Sequence, residues 1–253
     1  MAFEARPWRI DTCGSAEDAL LKLRAGGYDM LIADKNLPGM TGVDLVRAVR
    51  ERDREIGVVM ITGYASTESA MQTLNLGIDA YLEKPFANVY DLAHVIARVL
   101  KHRAPVRPPE APSGEPPGLE VLVVGADARL RISDHLDEKK DRIVHAIGAA
   151  ALRTASSQPF DLIIVDARTC GIDALVLIAE LRAVSRDSEC ALLSERMRLA
   201  ALKQLIELRV RAFIDGSPSG RDFAEKLKRV VAATRERKHV RRLFGGKGPG
   251  ERP

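Results

Sequence analysis

The chain is poor in the residues that would announce several common chemistries. It holds only three cysteines, Cys13, Cys170 and Cys190, scattered and in no C-x-x-C spacing. Neither a disulfide framework nor a cysteine zinc site is expected, and the thiols read as reduced. The five histidines add no metal-ligand pattern. Aromatic residues make up 4% of the chain, with Trp8 the single tryptophan, too few for a stacking platform for single-stranded nucleic acid. No apolar run approaches the roughly 18 residues of a membrane span; ALVLIA at 174–179 is typical of the longest. The opening MAFEARPWRIDTCG puts Glu4, Arg6, Arg9 and Asp11 where a secretory leader needs an unbroken apolar core. A cytoplasmic protein without a membrane partner is expected.

What is present is an ordinary core-forming balance, 46% hydrophobic and 29% charged over 253 residues, enough for one large domain or two small ones. The stretch PVRPPEAPSGEPPG at 105–118 contains six prolines and can neither enter a sheet interior nor continue a helix. It reads as a semi-rigid linker between domains at 1–104 and 119–234. The remaining 235–253, RERKHVRRLFGGKGPGERP, carries seven Lys or Arg and two Glu, a net +5 against +4 for the whole chain. The high pI therefore belongs to this basic tail, which reads as a solvated end or a helix extension. Any nucleic-acid contact is expected through the tail alone.

An internal repeat appears at an offset of 132 residues. YDMLIAD at 28–34 matches FDLIIVD at 160–166, VVMIT ending at Thr62 matches ECALLS ending at Ser194, and DAYLE at 79–83 matches RAFID at 211–215. Each half alternates short β-branched apolar runs with longer helical spacings, the pattern of βα units around a parallel sheet. In the first half the strands are WRIDTC, DMLIAD, VVMITG and AYLEK, with helices over 15–25, 41–52, 67–76 and 89–101. In the second they are EVLVVG, RIVHAI, DLIIVD, CALLS and AFID.

Asp34, Thr62 and Lys84 each fall at or just past the C-terminal end of a strand of the first half, the edge where open parallel α/β sheets bind ligands. A carboxylate can act as nucleophile or metal ligand, a hydroxyl can bond an oxyanion, and an ammonium can neutralise phosphate. The residues DMLIADKNLPGMTGVDL, VVMITGYAS and DAYLEKPF resemble the receiver domains of two-component response regulators. The resemblance implies two flavodoxin-like (βα)5 domains with parallel sheets. It also implies that Asp34 accepts a phosphoryl group from a histidine kinase or phosphotransfer protein, that Thr62 bonds it, and that Lys84 pairs with its oxygens. Tyr81 would be the aromatic switch, Lys84–Pro85 a cis peptide, and the Asn36 backbone carbonyl a Mg²⁺ ligand beside Asp34.

Two departures from that pattern carry expectations of their own. The first half lacks the opening strand with its Mg²⁺-binding acidic pair and most of the first helix, which leaves the cation in doubt. Either the start lies upstream and Met1 is internal to that helix, the favoured expectation, or the half is a remnant completed by a partner or by re-pairing its strands. In the second half the acidic pair becomes Gly125–Ala126 followed by Asp127, Asp166 remains, Ser194 replaces the threonine, Phe213 the tyrosine, and Gly216 the lysine. This half reads as a pseudo-receiver for protein binding, with Asp166 inactive. No enzymatic activity is expected, because a haloacid-dehalogenase-type phosphatase needs a second aspartate where Asn36 stands, and a flavodoxin needs a phosphate loop where ADARLR stands. The rival is a phosphorylation-independent scaffold built from both halves. Output to a downstream protein is expected through the third and fourth helices and last strand around Tyr81.

Overall fold

The computed structural model describes residues 8–86, 88–101, 117–126, 132, 136–137, 139–195, 197–215 and 221–243. The chain divides into two compact units, Met1–Pro108 and Pro109–Pro253, with the boundary inside the proline-rich stretch; most of 105–118 lies outside the described residues.

In the N-terminal unit the elements run α1 (Ala16–Ala25), β1 (Met30–Asp34), α2 (Gly42–Arg50), β2 (Gly57–Thr62), α3 (Thr67–Asn75), β3 (Ala80–Glu83) and α4 (Val89–Lys101). Three helices start on a hydroxyl: Ser15, Thr41 and Ser66 each accept the backbone N–H three residues on, from Asp18, Asp44 and Ser69, which satisfies a donor the helix cannot. Glu17 and Asp18 then face the positive end of α1, and Lys22 and Arg24 its negative end. The three strands form a parallel sheet in the order β1-β2-β3. Central β2 is buried along almost its whole length, and Val59, Ala80 and Val99 centre the core under Ile61, Leu82 and Val95.

The expected strand at 8–13, WRIDTC, does not form. A strand exists only by pairing, and no described strand pairs with this segment. Side chains hold it instead: the Tyr28 hydroxyl donates to the Asp11 carboxylate at 2.7 Å and Lys22 Nζ to the Thr12 carbonyl at 3.1 Å. The described sheet of this unit therefore has three strands where the sequence called for four, and Ile32 on outer strand β1 is 38% exposed.

The C-terminal unit comprises β4 (Glu120–Val124), β5 (Arg142–Ala146), α5 (Ala150–Ser157), β6 (Leu162–Asp166), α6 (Ala174–Val184), β7 (Glu189–Ser194), α7 (Leu199–Glu207), β8 (Ala212–Asp215) and α8 (Arg221–Leu243). Its five parallel strands lie in the order β5-β4-β6-β7-β8, the doubly wound 2-1-3-4-5 arrangement. Strands β4, β6 and β7 are apolar and almost wholly buried, as strands covered on both faces must be. Phe223, Leu227 and Val231, one turn apart on α8, pack on this core.

The offset of 132 recurs in the geometry. Met30 stands opposite Gly57 and Leu162 opposite Glu189; Val59 stands opposite Ala80 and Ala191 opposite Ala212. Arg50 Nε donates to the Leu76 carbonyl at 3.0 Å, and Arg182 Nε to the Leu208 carbonyl at 3.1 Å. These arginines, which sequence reading passed over, tie the end of one helix to the end of the next in both units.

The basic tail needs a correction at its boundary, because α8 runs on to Leu243. Of the two readings of 235–253, the helix extension describes 235–243, and 244–253 lie outside the described residues. Arg235 pairs with buried Asp141 at 2.5 Å, Arg237 with Glu189, and Lys238 Nζ with Asp161 and the Gly118 carbonyl, each at 2.7 Å. These three cations are spent on carboxylates of their own unit, which reduces the positive charge left for a nucleic acid.

Candidate functional site

Asp34 is the last residue of β1, and the chain turns sharply after it. The turn is fixed by backbone: Lys35 N–H donates to the Ile61 carbonyl at 2.8 Å, and Gly42 N–H to the Lys35 carbonyl at 3.0 Å. Gly42 opens α2 so close to β1 that a Cβ there would stand 2.0 Å from the Asp34 carbonyl oxygen, so only glycine fits without displacing Asp34.

The Asp34 carboxylate has two partners. Oδ1 accepts the Asn36 backbone N–H at 2.9 Å, and Oδ2 accepts Lys84 Nζ at 2.6 Å. Lys84 follows β3 on the far side of β2, its backbone N–H donating to the Thr62 carbonyl at 2.7 Å. The pair bridges the sheet from first strand to third and is partly open to solvent, with the lysine side chain 42% and the aspartate 27% exposed. Partial desolvation pushes the Asp34 carboxyl up. The Lys84 hydrogen bond, the Asn36 N–H and the charges of Lys84 and Lys35 outweigh that and hold it below its ordinary value. The peptide from Lys84 to Pro85 is cis.

Thr62 is fully buried, and its hydroxyl accepts the Tyr64 N–H at 3.1 Å. Tyr81 is also buried; its hydroxyl shares a 2.8 Å hydrogen bond with Ser69 of α3. Lys35, which sequence reading did not single out, donates from Nζ to the Tyr64 carbonyl at 2.6 Å. Its only signal was a second lysine next to Asp34. Asp34 and Lys84 are thus in direct contact, Thr62 joins them through backbone, and Tyr81 bonds to α3 instead.

The fit of a divalent cation can be tested on the donor set. A Mg²⁺ ion takes about six oxygens in near-octahedral array, and among the described residues no group of three or more acidic, histidine or cysteine side chains is placed to hold a metal. Asp34 supplies one carboxylate, already paired with Lys84, and the Asn36 carbonyl would add one oxygen. The described residues do not fit the ion.

In the C-terminal unit, Asp166 ends β6 fully buried, Ser194 ends β7 buried, and Phe213 is buried in β8. Asp127 and Gly216 lie outside the described residues. Gly125 has φ 141°, and the Ala126 N–H donates to the Thr169 carbonyl at 3.4 Å. Arg168, another residue missed from sequence, makes both carboxylate oxygens of Asp166 its acceptors. Burial pushes the Cys190 thiol up to about 12, which removes it as a nucleophile near neutral pH. No described helix is long and apolar enough to cross a membrane.

A strand-end carboxylate paired with an ammonium, with a buried hydroxyl between them in sheet order, stands at the edge where open parallel α/β sheets bind ligands. Residues 2–97 match the family model of the response regulator receiver domain. Similar proteins include the chemotaxis protein CheY of Pseudomonas aeruginosa, 43% identical over 70 residues, which is 27% of this chain and 56% of that protein. The two-component response regulator PhoP of the same organism is 31% identical over 77 residues, 30% of this chain and 34% of that protein. The transcriptional regulatory protein CusR of Escherichia coli K12 is 38% identical over 74 residues, 29% of this chain and 31% of that protein. The chain thus spans about half the length, or less, of these relatives. Among solved structures, a CheY-like receiver domain protein from Methanospirillum hungatei aligns with a TM-score of 0.39 at 29% identity, over 40% of this chain and 81% of that one.

Proposed function

We propose that the N-terminal unit is a receiver that takes a phosphoryl group on Asp34 from a histidine kinase or phosphotransfer protein, and that residues 119–234 form a pseudo-receiver that works by binding protein. The observation that carries this reading is the 2.6 Å contact of Lys84 Nζ with Asp34 Oδ2 across three parallel strand ends. An Asp34 oxygen attacks the phosphorus of a phosphohistidine; the P–N bond breaks with its electron pair left on the imidazole, and an acyl phosphate forms. Lys84, freed from Oδ2, faces the new phosphoryl oxygens, and the Thr62 hydroxyl, which accepts from Tyr64, keeps its proton to donate to them.

Output follows from the same contacts. Thr62 stands opposite Glu83 of β3, and the Ser69–Tyr81 hydrogen bond joins α3 to β3; the face made by α3, β3 and α4 is the proposed surface for a downstream protein. One observation favours the rival scaffold reading: among the described residues no acidic cluster attends Asp34. Incubation with acetyl phosphate, with and without Mg²⁺, separates the two. Labelling that Asp34→Asn abolishes supports the receiver; an unlabelled chain under both conditions supports the scaffold.

A further inference from the structure

The two units treat the aspartate at the end of the equivalent strand differently. Asp34 is partly exposed and borrows its cation from Lys84, fifty residues away. Asp166, 132 residues on, has a fully buried side chain, and its cation comes from its own turn. Asp166 Oδ1 accepts both the Arg168 backbone N–H and Nε at 3.0 Å, and Oδ2 accepts Nη2 at 2.9 Å. The backbone half is shared by the two units, because Asn36 N–H meets Asp34 Oδ1 in the same way. The side-chain half is new, since the position that holds asparagine in the N-terminal unit holds arginine here. On its far side the guanidinium faces Glu195, just past the end of β7, with Nη1 at 3.8 Å from Oε1.

A forked guanidinium matches a carboxylate in a way no ammonium can. We propose that Arg168 is an internal lock on the C-terminal unit: its fork occupies both oxygens of Asp166 and ties the end of β6 to the end of β7, so that the unit is closed to phosphoryl donors and held in one conformation. The inference deepens the pseudo-receiver reading and rests on it. The contacts also meet the rule that a buried carboxylate is tolerated only when paired and hydrogen-bonded. Arg168 is a positioning residue, acting through Asp166.

The test uses the full chain carrying Asp34→Asn, so that any phosphoryl label reports on the C-terminal unit. In this background Arg168→Asn, Asp166→Asn and the double variant form a cycle, read by thermal melting of the C-terminal unit and by hydrogen exchange at the Ala167 amide, which donates to the Leu193 carbonyl. The lock predicts that each single change lowers the melting temperature by several degrees. It predicts that Arg168→Asn speeds Ala167 exchange at least about tenfold, and that the double variant costs much less than the two singles summed, because removing both members leaves no buried charge unpaired. Additive losses with Asp166 unlabelled by acetyl phosphate overturn the lock and leave the pseudo-receiver reading standing. Labelling of Asp166 with Arg168 in place overturns both. Arg168→Lys, which keeps the charge and loses the fork, is expected to fall between arginine and asparagine; equality with arginine would contradict the forked contact.

Discussion

At the residue scale, the site turns on what neutralises Asp34. The Lys84–Asp34 pair is half open to water, so its stability contribution is small, about 0–1 kcal/mol. Lys84→Ala should therefore barely change a urea midpoint while sharply lowering acetyl phosphate labelling; equal labelling would remove Lys84 from the chemistry. The Asp34 carboxyl is held below its ordinary value, so whatever stability it lends is fully present above its unfolded pKa of about 4 and is lost as pH falls through the lower folded value. Asp34→Asn should flatten stability against pH only in that acid range. Gly42→Ala forces a Cβ onto the Asp34 carbonyl and should cost about 1–3 kcal/mol together with most of the labelling. Asp34, Thr62 and Lys84 were legible in the sequence because each follows a recognisable apolar run. Gly42 was not, since its role depends on how closely α2 approaches β1.

At the scale of elements, the described helices of the N-terminal unit were legible to within two residues, three of them because Ser15, Thr41 and Ser66 are capping residues placed just before apolar spacing. The strand expected at 8–13 does not form for a physical reason: WRIDTC has strand-like composition, but pairing is a property of two segments, and no described strand pairs with it. Of the basic tail, the helix extension was legible over 235–243, but its ion partners were not: Arg235, Arg237 and Lys238 meet Asp141, Glu189 and Asp161, which are 48 to 94 residues distant. The Asp141 carboxylate also accepts the Leu119 and Asp137 N–H groups. Burial pushes the Glu189 carboxyl up, but Arg237, Arg211 and Arg182 together hold it below its usual value. Removing Arg235 leaves Asp141 buried without its ion partner, so Arg235→Ala should cost the C-terminal unit about 3–5 kcal/mol in chemical denaturation. A loss under about 1 kcal/mol would mean that α8 is not anchored there.

On the scale of the whole chain, two units repeat one register at a fixed offset and differ in how they hold one carboxylate. The N-terminal unit leaves Asp34 reachable, with its cation supplied from another strand; the C-terminal unit buries Asp166 under Arg168. The division of labour proposed here is one responsive module and one fixed module on a single polypeptide. The most direct test is the stoichiometry and position of phosphoryl label after incubation with acetyl phosphate, with and without Mg²⁺, read by reductive trapping of the acyl phosphate and mass spectrometry of the intact and digested chain. The account predicts at most one phosphoryl group per chain, on Asp34, absent from Asp34→Asn. Label on Asp166, or none at all under either condition, would contradict it.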